Sequence, residues 1–312
     1  MFAYERKRVK VPRWHVPRSK TRVTRALLSC FAAGLLACGS SASAPSGPPA
    51  PASAALTSTG QLRVATFNIQ HGLNNDGAYD LQWAIRTIAA LNPDIVGVQE
   101  LTRNHPAYKC EDQPAKIAQG LTQATGRAWS YIYEQEWTTT ITECKGDTPE
   151  TEGNGFFAPA PISKAGSVAM WNGRNGLKTI AGGIAILTTH LQSGKLPENS
   201  SDRMRQLATL LPWTAQQGTP RILVCDCNAN PDSPEYAQLR AMYRDAWVDA
   251  VAAGRAKGRM DGITHKSSRI DYIFFDPGTQ LELVSMENVE TPALVGQEAS
   301  DHRPQLAVFG LK

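Results

Sequence analysis

The sequence predicts an α/β domain in which mixed β-sheets are covered by helices. Three observations carry that reading: a strand, helix, strand run between residues 62 and 99, a second alternation from 184 to 244, and a closing stretch of strands. Taken in order, Leu62–Phe67 reads as a strand ending at Asn68. A polar, glycine-containing loop follows. Leu81–Leu91 then carries Ala84, Ile85, Ile88 and Leu91 at helical spacing, with Asp80 placed to cap it. Pro93 stops that helix, and Asp94–Gln99 is an almost unbroken apolar strand of the kind buried on both faces. The alternation returns as a strand at 184–189, a helix near 201–217 behind Ser201, a strand at 221–226 and a helix near 234–244 opened by Pro234. Strands at 269–275, 280–286 and 304–309 complete the chain. No internal repeat or second linker interrupts this order, so residues 61–312 read as one domain.

The first 60 residues are of another kind. Residues 1–38 hold nine of the 32 lysines and arginines but only one acid, Glu5. The rest of the chain therefore has 23 basic against 27 acidic residues, a net charge of −4 beneath an overall +4. Bulk charge thus gives no argument for a polyanionic partner. With 42% hydrophobic and 19% charged residues, the composition is globular, which excludes collagen-like, coiled-coil and small disulfide-scaffold classes. The apolar run Ala26–Ala37 is shorter than the roughly 20 residues a spanning helix needs, and it fits the apolar core of a secretory signal. Its end, Leu35-Leu36-Ala37-Cys38, resembles the lipobox of bacterial lipoproteins. Residues 1–37 are accordingly expected to be a signal peptide and Cys38 the lipid-bearing anchor of an exported, membrane-tethered protein; a plain signal peptide that contains a cysteine is the alternative. Val23 would open a leader of ordinary length if translation began there. Residues 38–60, rich in Ser, Ala, Pro and Gly and free of charge, form a flexible tether.

Four cysteines remain in the domain. Cys110 and Cys144 flank a polar stretch and are expected to be bridged in an oxidising compartment. Cys225 and Cys227, two apart on one strand face, are expected to be small buried apolar groups. No C-x-x-C spacing exists to favour zinc. The tryptophans Trp83, Trp129, Trp137, Trp171, Trp213 and Trp247 form no single stripe and are expected mostly in the core.

Several strands end in residues able to bind a hard cation or move a proton. The first ends in Asn68, the second in Glu100, the strand at 184–189 in His190, and that at 221–226 in Asp226-Cys227-Asn228. Asp271 opens a late strand, and Asp301-His302 precedes the last. In open α/β sheets ligands gather at the carboxyl ends of strands, so this placement points to one site. Asp226 and Asn228, two apart on an extended chain, can address one water or phosphate. Glu100, Asn68 and Asp301 offer only oxygen, which favours Mg²⁺, Mn²⁺ or Ca²⁺. Singly, each of these residues is better explained as a turn former or a satisfied polar group; their joint occurrence is the signal.

The segments Ala65-Thr66-Phe67-Asn68-Ile69, Pro93–Glu100, Thr189-His190-Leu191, Leu223–Ala229, Arg269–Ile273 and Ser300-Asp301-His302 resemble, in this order, the motifs of the endonuclease/exonuclease/phosphatase superfamily. The resemblance implies a deoxyribonuclease-like two-layer sandwich of mixed β-sheets flanked by helices, and a divalent-metal-dependent hydrolase of phosphate esters. It implies that Glu100 holds the metal with help from Asn68 and Asp301, Mg²⁺ being expected and Mn²⁺ or Ca²⁺ possible alternatives. Asp226 would orient or deprotonate the attacking water while Asn228 fixes it. His302, oriented by Asp271, would contact the phosphate, and His190 would bind or protonate on the same face.

The chain departs from the family pattern at three places. The usual Gly-Asp-Phe-Asn reads Cys225-Asp226-Cys227-Asn228. The strand resembling Gly-Asn-Ala-Ile-Leu-Ser-Arg has no clean copy between Glu100 and His190, only weak candidates at Gly153–Phe157 and Gly166–Met170, so the partner of His190 is undefined. The stretch typical of inositol 5-phosphatases is missing at Arg269–Phe275. Arg174 in the turn Asn172–Gly176, with Lys195, Arg203 and Arg205, could meet a polyanion or be solvated surface. The expected protein is thus a monomeric phosphodiesterase acting outside the cytoplasm on nucleic acid. A phospholipase C-like or phosphomonoesterase activity and a non-catalytic phosphate- or partner-binding lipoprotein are the alternatives. Serine hydrolase and nucleotide-binding classes lack their motifs.

Overall fold

The computed structural model describes residues 60–139, 142–144, 148–278 and 280–311; the segment expected to be a signal peptide, Cys38 and all of the expected tether but Gly60 lie outside the described residues. In chain order the elements are β1 (Gln61–Asn68), α1 (Gln82–Leu91), β2 (Ile95–Arg103), α2 (Gln113–Thr125), β3 (Ser130–Thr138), β4 (Thr151–Ala158), β5 (Gly166–Ala169), β6 (Asn175–Ala181) and β7 (Ile184–His190). Then follow α3 (Pro197–Ala215), β8 (Arg221–Asp226), α4 (Pro234–Met242), β9 (Arg244–Asp245), α5 (Ala246–Ala252), β10 (Ala256–Gly258), β11 (Asp271–Phe275), β12 (Leu281–Asn288), α6 (Pro292–Val295) and β13 (Gln305–Leu311). They build two mixed sheets. The first has seven strands in the order β10-β12-β13-β1-β2-β4-β3, the second six in the order β5-β6-β7-β8-β11-β9.

The side-chain period of two explains how the sheets stack. Leu62, Val64 and Ile95 of the first sheet meet Ile186, Ile222, Val224 and Ile273 of the second in one core between the sheets. The alternate residues point outward: Ala65, Phe67, Val96 and Val98 pack beneath Ile85 and Ile88 of α1 and Ile117 and Leu121 of α2. Likewise Leu187, Leu223 and Phe274 lie beneath Leu207 and Leu210 of α3 and Leu239 of α4. The result is the expected α/β sandwich, two facing sheets with a helical layer outside each. The sheets approach closely at Gly97, where a Cβ would stand 2.6 Å from Val224 Cγ2.

Two expectations shift. The helix placed behind Ser201 begins at Pro197, because Asn199 Oδ1 accepts the Leu196 N–H and closes the first turn early. The stretch 101–182, without clear elements in the sequence, holds α2 and β3 to β6. It is hard to read because β3 is half-exposed and carries Glu134, Gln135 and Glu136, while β4 carries two glycines. Gly153 is required there, since a Cβ would meet the Glu134 carbonyl oxygen at 2.0 Å.

Candidate active site

The inner-face stripe of each central strand turns polar at the same end of the sandwich. On β8 the stripe Ile222, Val224 continues to Asp226; on β7, Ile184 and Ile186 continue to His190; on β1, Leu62 and Val64 continue to Asn68. Antiparallel β11 starts at this end, so Asp271 heads the stripe Ile273, Phe275. Parity alone would turn Glu100 outward with Val96 and Val98. A register shift in the β2–β4 pairing between Val98 and Leu101, with Glu100 at φ 59°, returns it to the site. His190, Asp226 and Asp271 stand opposite one another across β7, β8 and β11. One layer deeper, buried Gln99 donates to Thr66 Oγ1 at 3.1 Å and to Thr188 Oγ1 at 3.0 Å, tying the two sheets.

Six of the eight residues expected at the site, Glu100, His190, Asp226, Asn228, Asp301 and His302, line one cavity of about 300 Å³. Asn68 and Asp271 are buried directly behind it. Asn68 Nδ2 donates to Glu100 Oε1 and to Asp226 Oδ2, both at 2.9 Å, and its Oδ1 accepts the Gln70 N–H at 2.9 Å. The amide nitrogen of Asn68, not its carbonyl, therefore faces the two carboxylates. His302 Nδ1 lies 2.9 Å from Asp271 Oδ2, and its Nε2 3.8 Å from Asp226 Oδ2. Ser300 Oγ donates to the Asn68 carbonyl and accepts the His302 N–H, which fixes the backbone of that turn. Asn228 departs from the extended geometry expected of it: β8 ends at Asp226, Asn228 takes φ 47°, and its N–H donates to Asp226 Oδ1 at 3.0 Å. It still reaches the cavity, by a turn rather than by strand alternation.

Burial pushes the Asp226 carboxyl up to about 7, and the neighbouring Asp271 adds to this, while His302 and Asn68 act against it. For His302 burial favours the neutral ring, but Asp271 and Asp226 override it and raise the imidazole to about 10. His190 goes the other way: burial, then the Arg174 charge, hold it well below the usual histidine range. Asp301 is held below its ordinary value although burial opposes this, because His265 lies 3.1 Å away and the cationic His302 is near.

A second wall was missed in the sequence. His71, at φ 56° in a short turn after β1, contacts Glu152 at 2.8 Å and Tyr108 Oη at 3.2 Å, and its ring stacks on Tyr108. Arg174, weighed as solvated turn or polyanion contact, is instead buried, with Nη1 2.6 Å from Glu136 Oε2 and 3.0 Å from His190 Nδ1. That supplies the partner of His190. His265 stacks on His302 at 4.4 Å. The only sequence signal for these residues is that His71, His190, His265 and His302 are four of the five histidines in the domain. By contrast Arg203 is a structural residue, buried against Glu235 at 2.8 Å.

Two further corrections concern cysteine and tryptophan. Cys225 and Cys227 are buried as expected but joined to each other: the strand ends between them, so their Cα atoms lie 5.2 Å apart, closer than the roughly 6.6 Å of two strand steps. This clasp brackets Asp226. Cys110 and Cys144 form the expected bridge. Trp171 is 52% exposed at the turn between β5 and β6, with its indole N–H on Asp202 Oδ1 and the Arg205 guanidinium against its ring. Its short turn carries the side chain off the sheet, beyond either core.

The donor set fits a hard divalent cation. Glu100 Oε2 lies 3.6 Å from His71 Nε2, too far for a hydrogen bond, and oxygen atoms of Glu100 and Asp226 lie within 4.8 Å of each other. Carboxylate oxygens predominate, and among the described residues every cysteine is in a disulfide, the pattern for Mg²⁺, Mn²⁺ or Ca²⁺.

Solved structures with this fold include the endonuclease/exonuclease/phosphatase from Beutenbergia cavernae DSM 12333, 22% identical, with 80% of this chain and 72% of that one covered at a TM-score of 0.60. The human Nocturnin catalytic domain is 19% identical, with coverages of 81% and 95% and a TM-score of 0.53. D. rerio TDP2, solved with a single-strand DNA product, is 20% identical, with coverages of 80% and 99% and a TM-score of 0.53. No curated protein sequence matches the chain. The model of one family spans the first site strand to the last site histidine, residues 65–302. The chain belongs to that family, Endonuclease/Exonuclease/phosphatase, whose members are phosphoesterase-type hydrolases.

Proposed function

We propose that this protein is a divalent-metal-dependent phosphodiesterase that cleaves nucleic acid outside the cytoplasm, held at a membrane by a lipid on Cys38. The observation that carries the chemistry is the single amide of Asn68 joining Glu100 to Asp226, with the Asp271–His302 pair closing the same cavity. Glu100, with Asp301 at the same cavity, would hold the cation, which draws charge from a phosphoryl oxygen. Asp226, raised toward neutrality, takes a proton from the attacking water, and Asn228 beside it orients that water. His302, cationic against Asp271, donates from Nε2 to the phosphoryl group as negative charge builds.

Three observations support the finer points. Trp171 is exposed three residues before Arg174, but Arg205 and Asp202 surround it, a rim that suits a stacked base better than an acyl chain. D. rerio TDP2, alike in fold, holds a DNA product. Two disulfides in one domain suit an oxidising compartment.

The test is a panel of DNA, RNA, bis-nitrophenyl phosphate and sphingomyelin, each assayed with Mg²⁺, with Mn²⁺ and with EDTA. EDTA-sensitive cleavage of nucleic acid is expected. Sphingomyelin as the preferred substrate would replace the nuclease with a phospholipase C, and no hydrolysis at all would leave a binding protein. The anchor is tested separately: palmitate-analogue labelling should disappear in Cys38→Ala.

A further inference from the structure

His190 takes its orienting hydrogen bond from a cation. Arg174 is 8% exposed, and one nitrogen, Nη1, serves both Glu136 Oε2 at 2.6 Å and His190 Nδ1 at 3.0 Å. The Glu136 side chain is fully buried and fixes the guanidinium in place. A guanidinium has donors only and does not give up its proton, so Nδ1 must accept. A proton on Nδ1 would set two N–H groups head to head. The ring proton therefore sits on Nε2, the atom that faces the cavity 3.5 Å from Asp226 Oδ2. His302 is arranged the opposite way, with Nδ1 against the Asp271 carboxylate.

We propose that Arg174 is a positioning residue that locks His190 as the Nε2–H tautomer, so that His190 donates a hydrogen bond to a non-bridging phosphoryl oxygen and does not protonate the leaving group. In the hydrolysis, water loses a proton to Asp226 and its oxygen bonds to phosphorus. The bond to the leaving oxygen breaks with its electron pair, and that oxygen takes its proton from solvent in the open cavity. His302 and His190 thus divide the work, His302 as a cation and His190 as a neutral donor. The role at phosphate rests on the phosphodiesterase reading; the tautomer rests on the Arg174 geometry alone.

The full chain, labelled with ¹⁵N-histidine and treated with EDTA, gives the tautomer by long-range ¹⁵N–¹H correlation, with His190→Gln assigning the signal. A protonated Nε2 and bare Nδ1 are expected, kept in Arg174→Lys and lost in Arg174→Met. Since the methionine variant leaves Glu136 without its partner, Arg174→Met with Glu136→Gln serves if the single variant does not fold. A protonated Nδ1 in the wild type overturns the proposal. Kinetically, His190→Ala should slow diesters with nitrophenolate and with alkoxide leaving groups alike, by about 10²-fold, the cost of one oriented donor. His190→Gln, which keeps an N–H near the Nε2 position, should recover about tenfold of that. A loss confined to the alkoxide diester would make His190 the proton donor and overturn the proposal. If no diester is cleaved, the phosphodiesterase reading fails while the spectrum still decides the tautomer.

Discussion

The cavity has two walls made in different ways. One is the row His190, Asp226 and Asp271, level with one another on three neighbouring strands, with Asn68 and Glu100 facing it from the first sheet. His190, Asp226 and Asp271 stand at the polar ends of inner-face stripes, where ladder pairing sets them level, and the β2 bulge turns Glu100 toward them. The other wall begins at His71, which lines the cavity, and is backed by Tyr108, Glu136, Glu152 and Arg174, drawn from turns and from β3 and β4, where each side chain is placed by another side chain. Backbone-placed groups can be changed at little cost in stability. Groups placed by one another cannot, because removing one leaves a buried partner unsatisfied.

Asp226→Asn should show the first wall at its clearest. It keeps the shape and removes the proposed base, so kcat should fall by about 10³-fold. The melting temperature should hold or rise, since burial already disfavours this carboxylate. Glu136→Gln in the second wall should do the reverse. It leaves the buried Arg174 cation with only the more distant Glu152 carboxylate at 3.9 Å, a loss of about 3 kcal/mol in unfolding free energy, with a smaller fall in rate. Urea unfolding and steady-state kinetics on both variants decide it. Equal destabilisation by the two would dissolve the distinction between the walls.

That distinction also explains how much could be read from the sequence. Strand ends are legible: Asn68, Glu100, His190 and Asp226 each follow an apolar run, and the order of those runs gives the α/β class. The bulge at Glu100 was invisible, yet it did not matter, because the residue type at a strand end carried the signal. Glu136, Glu152 and Arg174 follow no such run. They meet through pairings between segments 16 to 81 residues apart, such as Arg174 with His190 and His71 with Glu152. Nothing local marks them. The Cys225–Cys227 bond was missed for a related reason: strand spacing keeps such a pair apart, and the pair closes only because the strand stops at Asp226.

The two disulfides compare the walls again, at a smaller scale. Cys110 and Cys144, 34 residues apart, tie the segment that carries Tyr108, and replacing both with alanine should cost about 3 to 4 kcal/mol by the loop-entropy relation. Replacing Cys225 and Cys227, which close a loop of two steps, should cost about a third of that by the same relation but lower kcat by about tenfold, because Asp226 lies inside the clasp. Denaturant midpoints and kcat for the two double variants give both numbers. A larger kcat loss from the Cys110–Cys144 pair would place the rate-determining geometry in the second wall.

The smallest effect separates the two histidines that gain from nearby carboxylates. In the folded protein His302 is raised from the usual 6.5 to about 10, so the stability it contributes is complete below pH 6.5 and is lost as pH rises through about 10. Asp226, at about 7, is ionised in both states above pH 8, which isolates His302 in the alkaline arm. Between pH 8 and 9.5, in EDTA, unfolding free energy should fall by about 1.3 kcal/mol per pH unit, close to the slope of a single extra proton held by the folded state. His302→Gln should flatten that arm. His71 is also raised, burial opposing and the Glu152 hydrogen bond prevailing, so its contribution has the same sign. Its side chain is 23% exposed against 7% for His302, and water screens what the carboxylates supply. His71→Gln should therefore leave most of the alkaline slope intact. If the slope instead vanishes with His71 and survives without His302, the charge that matters is held by the side-chain-built wall, and the row of strand ends is electrically quieter than its geometry implies.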